Sequence, residues 1–348
     1  MALDSWYLEN LVCPADKTRL SYDGRQLVSR SGRRYPVVDG LPVMLLAGER
    51  QTMDIAQASI ARAQGDVDAV DPRAPDYYLE TLGISDLEKG RIVELAVTGA
   101  GKIDPVVSLL LGGTCGNAYT HLAGNAEVSE YPIPRLELPP GDGRSLLDVG
   151  CNWGRWSIAA SRAGYHAVGI DPSLGAVMAA RRAAAALGAD VKYVVGDARW
   201  LPFADGVFSS AYSYSVLQHM AKADVQTALA ELRRVLEPGG CAKVQMAAKY
   251  GLRSLQHQWR RRFREPTGFE VRYWPTAELL QVFGDSIGPT VLTVDCYLGL
   301  GWQWSDLARM RARHKPVLAV SEALKRLSRG VPPLRAVADS VFCTAVKT

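Results

Sequence analysis

Apolar and polar positions along this chain fall into two regimes that meet near residue 145. From there onward, short apolar runs alternate with stretches whose apolar positions recur at helical spacing. The runs Ser145–Val149, 166–170, Val191–Val195, 207–212 and 241–246 read as strands. Between them, 155–163, 174–187 and 224–236 read as helices. Strands alternating with helices imply βαβ units, hence an α/β fold whose doubly wound, mostly parallel sheet is covered on both faces. Two later runs, Thr290–Cys296 and Ser340–Val346, flank a further helical stretch at 317–327.

Before residue 145 the pattern is different. Residues 1–49 read as a small β-rich unit: two short strands, Leu20–Tyr22 and Gln26–Ser29, meet at the turn signal Asp23-Gly24. An apolar run over 34–44 follows, broken by a second Asp-Gly turn at Asp39-Gly40. Residues 50–140 read as a helical approach or lid segment, with helices at Asp54–Gln64 and 85–97 and a break at 71–75. Ser85, three residues before Glu88, predicts a capping box. The prolines around Ile133 impose an extended path into the α/β region, which runs from 141 to 348 and carries an insertion around 250–340.

A length of 348 residues fits about two domains. With 48% apolar and 22% charged residues the chain is a globular protein, not a disordered one. No apolar run approaches the roughly 18 residues of a membrane span, and Asp4 and Glu9 do not suit a signal peptide, so a cytoplasmic protein is expected. The net charge of +4 is too small to imply nucleic-acid binding. The basic excess is local, at Arg260, Arg261, Arg262 and Arg264 and again beyond residue 308. Cys13, Cys115, Cys151, Cys241, Cys296 and Cys343 form no CxxC pair, which predicts reduced thiols.

The first strand of the α/β region runs into Asp148-Val149-Gly150-Cys151-Asn152-Trp153-Gly154. A glycine-bearing turn between a strand and a helix lets the backbone approach a ligand while helix N–H groups face it. Asp171 closes the second strand, 21 residues after Gly150, where a carboxylate suits the hydroxyls of a ribose. The dinucleotide fingerprint G-x-G-x-x-G is absent, since Asn152 stands at its second glycine. Gly196-Asp197-Ala198 follows the third strand, and Leu236-Glu237-Pro238-Gly239-Gly240 opens the fifth.

This ordered set resembles the class I S-adenosylmethionine-dependent methyltransferases of the type 11 group, over roughly residues 145–246. The resemblance implies a seven-stranded Rossmann-like sheet, S-adenosylmethionine as cofactor, no metal, and a final antiparallel strand pair at the sheet edge. It assigns Asp148, Gly150, Cys151, Asn152 and Gly154 to the methionine-binding loop. It assigns Asp171 and Pro172 to the ribose, Asp197 and Ala198 to the adenine, and Ser213 to the methionine amino group. The runs "NWGRW", "GIDPSLGAVMAARR" and "FEVRYW" resemble methyltransferases of bacterial polysaccharide and secondary-metabolite pathways. Residues 8–45 resemble the small zinc-ribbon-like domain of the tRNA-methyltransferase activator protein. That domain opens on a CPxC knuckle, whereas this chain has Cys13-Pro14-Ala15-Asp16, which predicts a degenerate ribbon without metal.

Methyl transfer to oxygen needs a base to take the hydroxyl proton, and His219, just beyond the fourth strand, is the catalytic candidate. Tyr119, His121, Arg261 and Arg264 are candidate substrate contacts, the arginines because bidentate cations suit a phosphorylated or acidic group. The expected reaction is O-methylation of a small molecule or glycan precursor, phosphorylated or lipid-linked. The alternatives are C- or N-methylation of a metabolite or RNA, or a catalytically silent cofactor-binding subunit. A nucleic-acid partner is disfavoured by the low charge. The basic end of 317–327 suggests peripheral membrane contact, and the sequence leaves the oligomeric state open.

Overall fold

A computed structural model describes residues 3–65, 74, 78–114, 118–299 and 301–348. Cys115, Asn117 and all of the 71–75 break except Ala74 lie outside these residues. The chain opens with helix α1 (Ser5–Asn10) and strands β1 (Leu20–Tyr22), β2 (Gln26–Ser29), β3 (Arg34–Val38) and β4 (Leu41–Pro42). Helices α2 (Asp54–Gln64), α3 (Asp86–Thr98) and α4 (Pro105–Leu110) follow. The α/β region runs β5 (Ser145–Val149), α5 (Arg155–Arg162), β6 (His166–Asp171), α6 (Leu174–Ala186), β7 (Val191–Val195), β8 (Phe208–Ser213), α7 (Lys222–Val235) and β9 (Leu236–Ala247). Then come α8 (Leu252–Arg260), α9 (Thr276–Ser286), β10 (Thr290–Cys296), α10 (Lys315–Leu327) and β11 (Ser340–Val346).

Seven strands form one sheet in the order β10-β11-β9-β8-β5-β6-β7. The pairs among β5, β6, β7, β8 and β9 are parallel, while β11 runs antiparallel to both β9 and β10. The α/β expectation and the antiparallel edge pair are therefore both present. β9 is longer than its apolar core suggested: the Glu-Pro-Gly-Gly run belongs to the strand rather than to a preceding turn. Crossover helices cover the faces with residues suited to the task. α6 is alanine-rich, a composition with high helix propensity, and is capped by the Ser173 hydroxyl accepting from the Ala176 amide. α7 buries Val225, Ala228, Leu229, Leu232 and Val235, the stripe of an amphipathic helix. The Ser85–Glu88 capping box is formed at α3.

The four antiparallel strands β1–β4 form a second, smaller sheet. It leans on the edge of the large one. Outward-facing backbone groups of β7 are taken up by α1 and the residues just after β4: the Tyr7 hydroxyl accepts from the Tyr193 amide and donates to its carbonyl, and the Met44 amide donates to the Val195 carbonyl. An edge strand that would otherwise invite pairing with another chain is thereby covered. The apolar interior is continuous across the junction, with Leu11, Tyr35 and Met44 in one cluster with Val168, Val194 and Phe203. The Cys13 thiol lies 3.1 Å from the Tyr35 hydroxyl, and Asp16 accepts from Thr18 and Ser31. Among the described residues no three His, Cys, Asp or Glu groups converge as metal ligands, and no helix is long and apolar enough to cross a membrane.

Asp148, at the end of β5, is fully buried and accepts a 2.6 Å hydrogen bond from the Ser157 hydroxyl, tying α5 to the sheet. Burial raises its pKa to about 7, so the folded state holds this proton more tightly than the unfolded chain, where the carboxyl titrates near about 4. The stability this confers is complete below the unfolded value and is lost as pH rises through the folded one. Thermal melts of Asp148→Asn should consequently lose less stability than the parent between about pH 4 and 7; parallel curves would contradict this assignment.

Candidate functional site

The carboxyl ends of β5, β6, β7 and β8 converge on a cleft of about 640 Å³, within the roughly 300–1,000 Å³ range of small-molecule sites. Its floor is the turn from β5 into α5. Gly150 sits at φ +77°, and a Cβ there would come within 2.3 Å of Val216. Gly154 sits at φ +80°, and its Cβ would come within 2.4 Å of the Tyr193 hydroxyl. Both positions need glycine for handedness and for space. Asn152, also left-handed at φ +47°, turns the intervening backbone so that its own amide points at Asp171.

Asp171 forms the wall where β6 ends. One carboxylate oxygen accepts the Asn152 amide at 2.9 Å and the other accepts the Ser173 amide at 2.9 Å. Each oxygen keeps acceptor capacity for a ligand hydroxyl. Burial raises the pKa of this group to about 6, partly offset by the two amides. Asp197, beyond β7, is gripped by Arg199 through Nε and Nη2 at 3.1 and 2.9 Å. Arg199 also reaches the Arg50 carbonyl and Asp224, and Asp224 pairs with the Arg50 guanidinium at 2.7 Å. The clasp thus joins the segment before α2 to the start of α7.

The far side of the cleft is made by the segment before the α/β region together with the later insertion. Thr52, Met53, Leu82, Ile84, Leu110 and Thr114 supply the first; Phe269 and Gly301 supply the second. Trp156, Tyr214 and Phe269 present aromatic surface, and Val216, His219 and Gln245 complete that side. His219 stacks on Phe269 with ring centroids 4.0 Å apart, and its Nδ1 lies 2.7 Å from the Phe269 carbonyl. A carbonyl only accepts, so Nδ1 carries the hydrogen and Nε2 keeps its lone pair. Burial lowers the pKa of His219 below the usual histidine value, keeping the ring neutral near pH 7.

Of the residues singled out in the sequence, Gly150, Cys151, Asn152, Asp171, Pro172, Asp197, Ala198 and His219 meet in this one cleft. Others stand behind it. Asp148 and Gly154 shape the turn from below, and the Ser213 hydroxyl donates to the Val149 carbonyl, pinning β8 to β5. Tyr119 is completely buried with its hydroxyl bonded to Asp306, and the cleft wall takes its neighbours Thr120 and Ala123 rather than Tyr119 or His121. Arg264 is paired with Glu270, and Arg261 donates to the Val271 carbonyl at 2.9 Å; neither lines the cleft. Their guanidiniums are engaged by the loop that carries Phe269. Sequence reasoning did not anticipate Phe269, Tyr214, Gln245 or the Arg199 clasp. The signal for Phe269 was present, since it begins the "FEVRYW" run.

Residues 146–240 match the family described as "Methyltransferase domain". The chain is 44% identical over 112 residues to an uncharacterized 37.1 kDa protein of a Streptomyces fradiae transposon, covering 31% of each. It is 37% identical over 148 residues to the O-methyltransferase resE of Aspergillus sclerotiorum, covering 39% of this chain and 55% of that one. A solved SAM-dependent methyltransferase from Methanosarcina mazei aligns with 61% of this chain and 99% of its own, at 19% identity and a TM-score of 0.44. The chain spans from about a quarter to just over half of the length of the curated relatives it matches. Residues 146–240 carry the match to a methyltransferase domain, and S-adenosylmethionine is the cofactor such a domain implies.

The donor set fits that cofactor. The ligand carries a cationic sulfur, an ammonium and a ribose diol, and the cleft offers the Asp171 carboxylate together with aromatic faces. If Asp171 receives the diol, its ionised form is the better acceptor. Affinity for S-adenosylhomocysteine, measured by calorimetry, should then weaken as pH falls below about 6. Asp171→Asn should cost roughly 10- to 100-fold in affinity at pH 7.5 and abolish this pH dependence. Equal affinity in both proteins would remove Asp171 from the binding site.

Proposed function

We propose that this chain transfers the methyl group of S-adenosylmethionine to a hydroxyl of a small-molecule or glycan-precursor acceptor. The observation that carries the reading is His219: a neutral imidazole on the cleft wall, its Nδ1–H held by the Phe269 carbonyl and its Nε2 left as the basic nitrogen, 3.5 Å from the Gln218 amide nitrogen. When bound, the cofactor supplies a methyl group on a positively charged sulfur, already a strong electrophile. The chain's own contribution is alignment and proton removal. Asp171 holds the ribose, and Asp197 with Ala198 borders the adenine. The Gly150–Gly154 turn and the first turn of α5 receive the methionine end, and Trp156, Tyr214 and Phe269 exclude water beside the reacting methyl group. His219 Nε2 would take up the acceptor's hydroxyl proton.

The similarity to an O-methyltransferase supports oxygen as the acceptor atom. We read residues 141–348 as the catalytic domain, 50–140 as its approach segment and 1–49 as a degenerate zinc-ribbon-like domain. We assign the chain to the cytoplasm; the five described cysteines, all free thiols, suit a reducing compartment.

Transfer of labelled methyl groups into a panel of alcohols, amines and carbon acids tests the reaction, with label expected in the alcohols alone. His219→Gln should lower kcat on an alcohol about 100-fold or more while leaving S-adenosylhomocysteine affinity within about twofold. The parent's kcat should fall on the acid side only below the usual histidine pKa, as the lowered pKa of His219 requires, and this limb should vanish in the variant. Unchanged kcat in His219→Gln would exclude it as the base.

A further inference from the structure

Helix α8 is built inside out. Its buried positions are polar: Ser254 donates through its amide to Asp339 at 2.8 Å, and Gln258 donates to the Lys249 and Ser254 carbonyls at 2.8 and 3.1 Å. Its outward positions are apolar. Leu252 is 65% exposed and Trp259 69%, with Leu255 beside them on the same arc. At 100° per residue, Leu252, Leu255 and Trp259 fall within about 60° of one another, and Arg253 and Arg260 flank them on the adjoining arc. Just past the helix, Phe263 is 62% exposed in a left-handed turn with Arg262. A soluble surface scatters such residues singly; here they share one short element.

The charge on this element has one sign. No acidic residue lies between Tyr250 and Arg264. Arg261 and Arg264 are occupied by the Phe269 loop, whereas no carboxylate among the described residues pairs with Arg253, Arg260 or Arg262. An arc of Trp, Leu and Phe bordered by arginines is the composition of a helix lying in the headgroup region of an anionic bilayer. None of these apolar side chains lines the cleft; they stand outward on a helix, which suits a fluid receiving medium better than a shaped protein pocket. The patch also leads to the site. His257 Nδ1 is 3.0 Å from the Tyr273 hydroxyl, and with Arg261 and Arg264 it fastens α8 to the loop whose Phe269, 58% exposed, forms one edge of the cleft.

We infer that α8 and the turn after it dock this protein onto anionic phospholipid bilayers, with the cleft edge at Phe269 facing the lipid surface. The docking does not depend on the methyl-transfer reading, and its test is separate. The full chain is sedimented with vesicles of phosphatidylglycerol or of phosphatidylcholine. Binding is expected to phosphatidylglycerol, to fall with added salt, and to be weak to phosphatidylcholine. Trp259→Ser and Phe263→Ser should each weaken binding about tenfold or more, and Arg260→Gln and Arg262→Gln roughly fivefold each. Because these side chains are exposed, melting temperature and S-adenosylhomocysteine affinity should stay at parent values in every variant. Parent protein that stays in solution with phosphatidylglycerol vesicles overturns the inference, as do variants that bind like the parent. A parent dimer dissociated by Trp259→Ser, without vesicle binding, would assign the patch to a second copy of the chain instead.

Discussion

A buried ion pair holds the cleft closed from behind. Arg155, in the first turn of α5, meets Asp306 at 2.8 Å with both side chains almost wholly out of water. Asp306 also receives the Tyr119 hydroxyl and the Gln303 amide, and Arg155 donates to the Pro132 carbonyl. Segments from before the central sheet, from α5 and from the connection between β10 and β11 therefore share one charge pair. A lone buried charge is costly, so neither partner can leave without strongly destabilising the other, by about 3–5 kcal/mol in comparable pairs. Arg155 is also part of the cleft wall. This ion pair thus ties the approach segment, the turn after β5 and the insertion between β10 and β11 together.

Around that anchor the site is organised by carboxylates with different tasks. Asp148 is buried behind the turn and holds Ser157, so its work is structural. Asp171 orders two backbone amides while retaining acceptor capacity toward the cleft. Asp197 is neutralised by Arg199, which joins the segment before α2 to α7. Their chemical type is the same, and their roles follow from what surrounds each one. The same holds for the cations. The arginine cluster after α8 looked suited to an anionic substrate, but its members divide between an internal brace for the Phe269 loop and an outward face.

Much of the fold was legible because its signals are local. The strand and helix periods of the α/β region, the left-handed glycines at 150 and 154, and the Ser85 capping box each depend on a few neighbouring residues. Asp171 was legible for the same reason, since it closes a strand that pairs in register beside the glycine turn. The partners of the Ser213 and Tyr119 hydroxyls, the Val149 carbonyl and Asp306, lie far away in sequence and were not legible. A residue's type announces that it will find a partner, not which one.

The sequence alone determined the layered α/β architecture, the glycine turn after β5 and the acidic residues along the cleft rim. These follow from backbone handedness, hydrophobic period and the chemistry of a nucleoside ligand, which act over short stretches of chain. Tertiary structure decided which polar groups face the cleft, which brace it and which face of α8 meets solvent. Those choices rest on burial and on long-range hydrogen bonds: a side chain taken out of water must be satisfied by whatever the fold brings beside it.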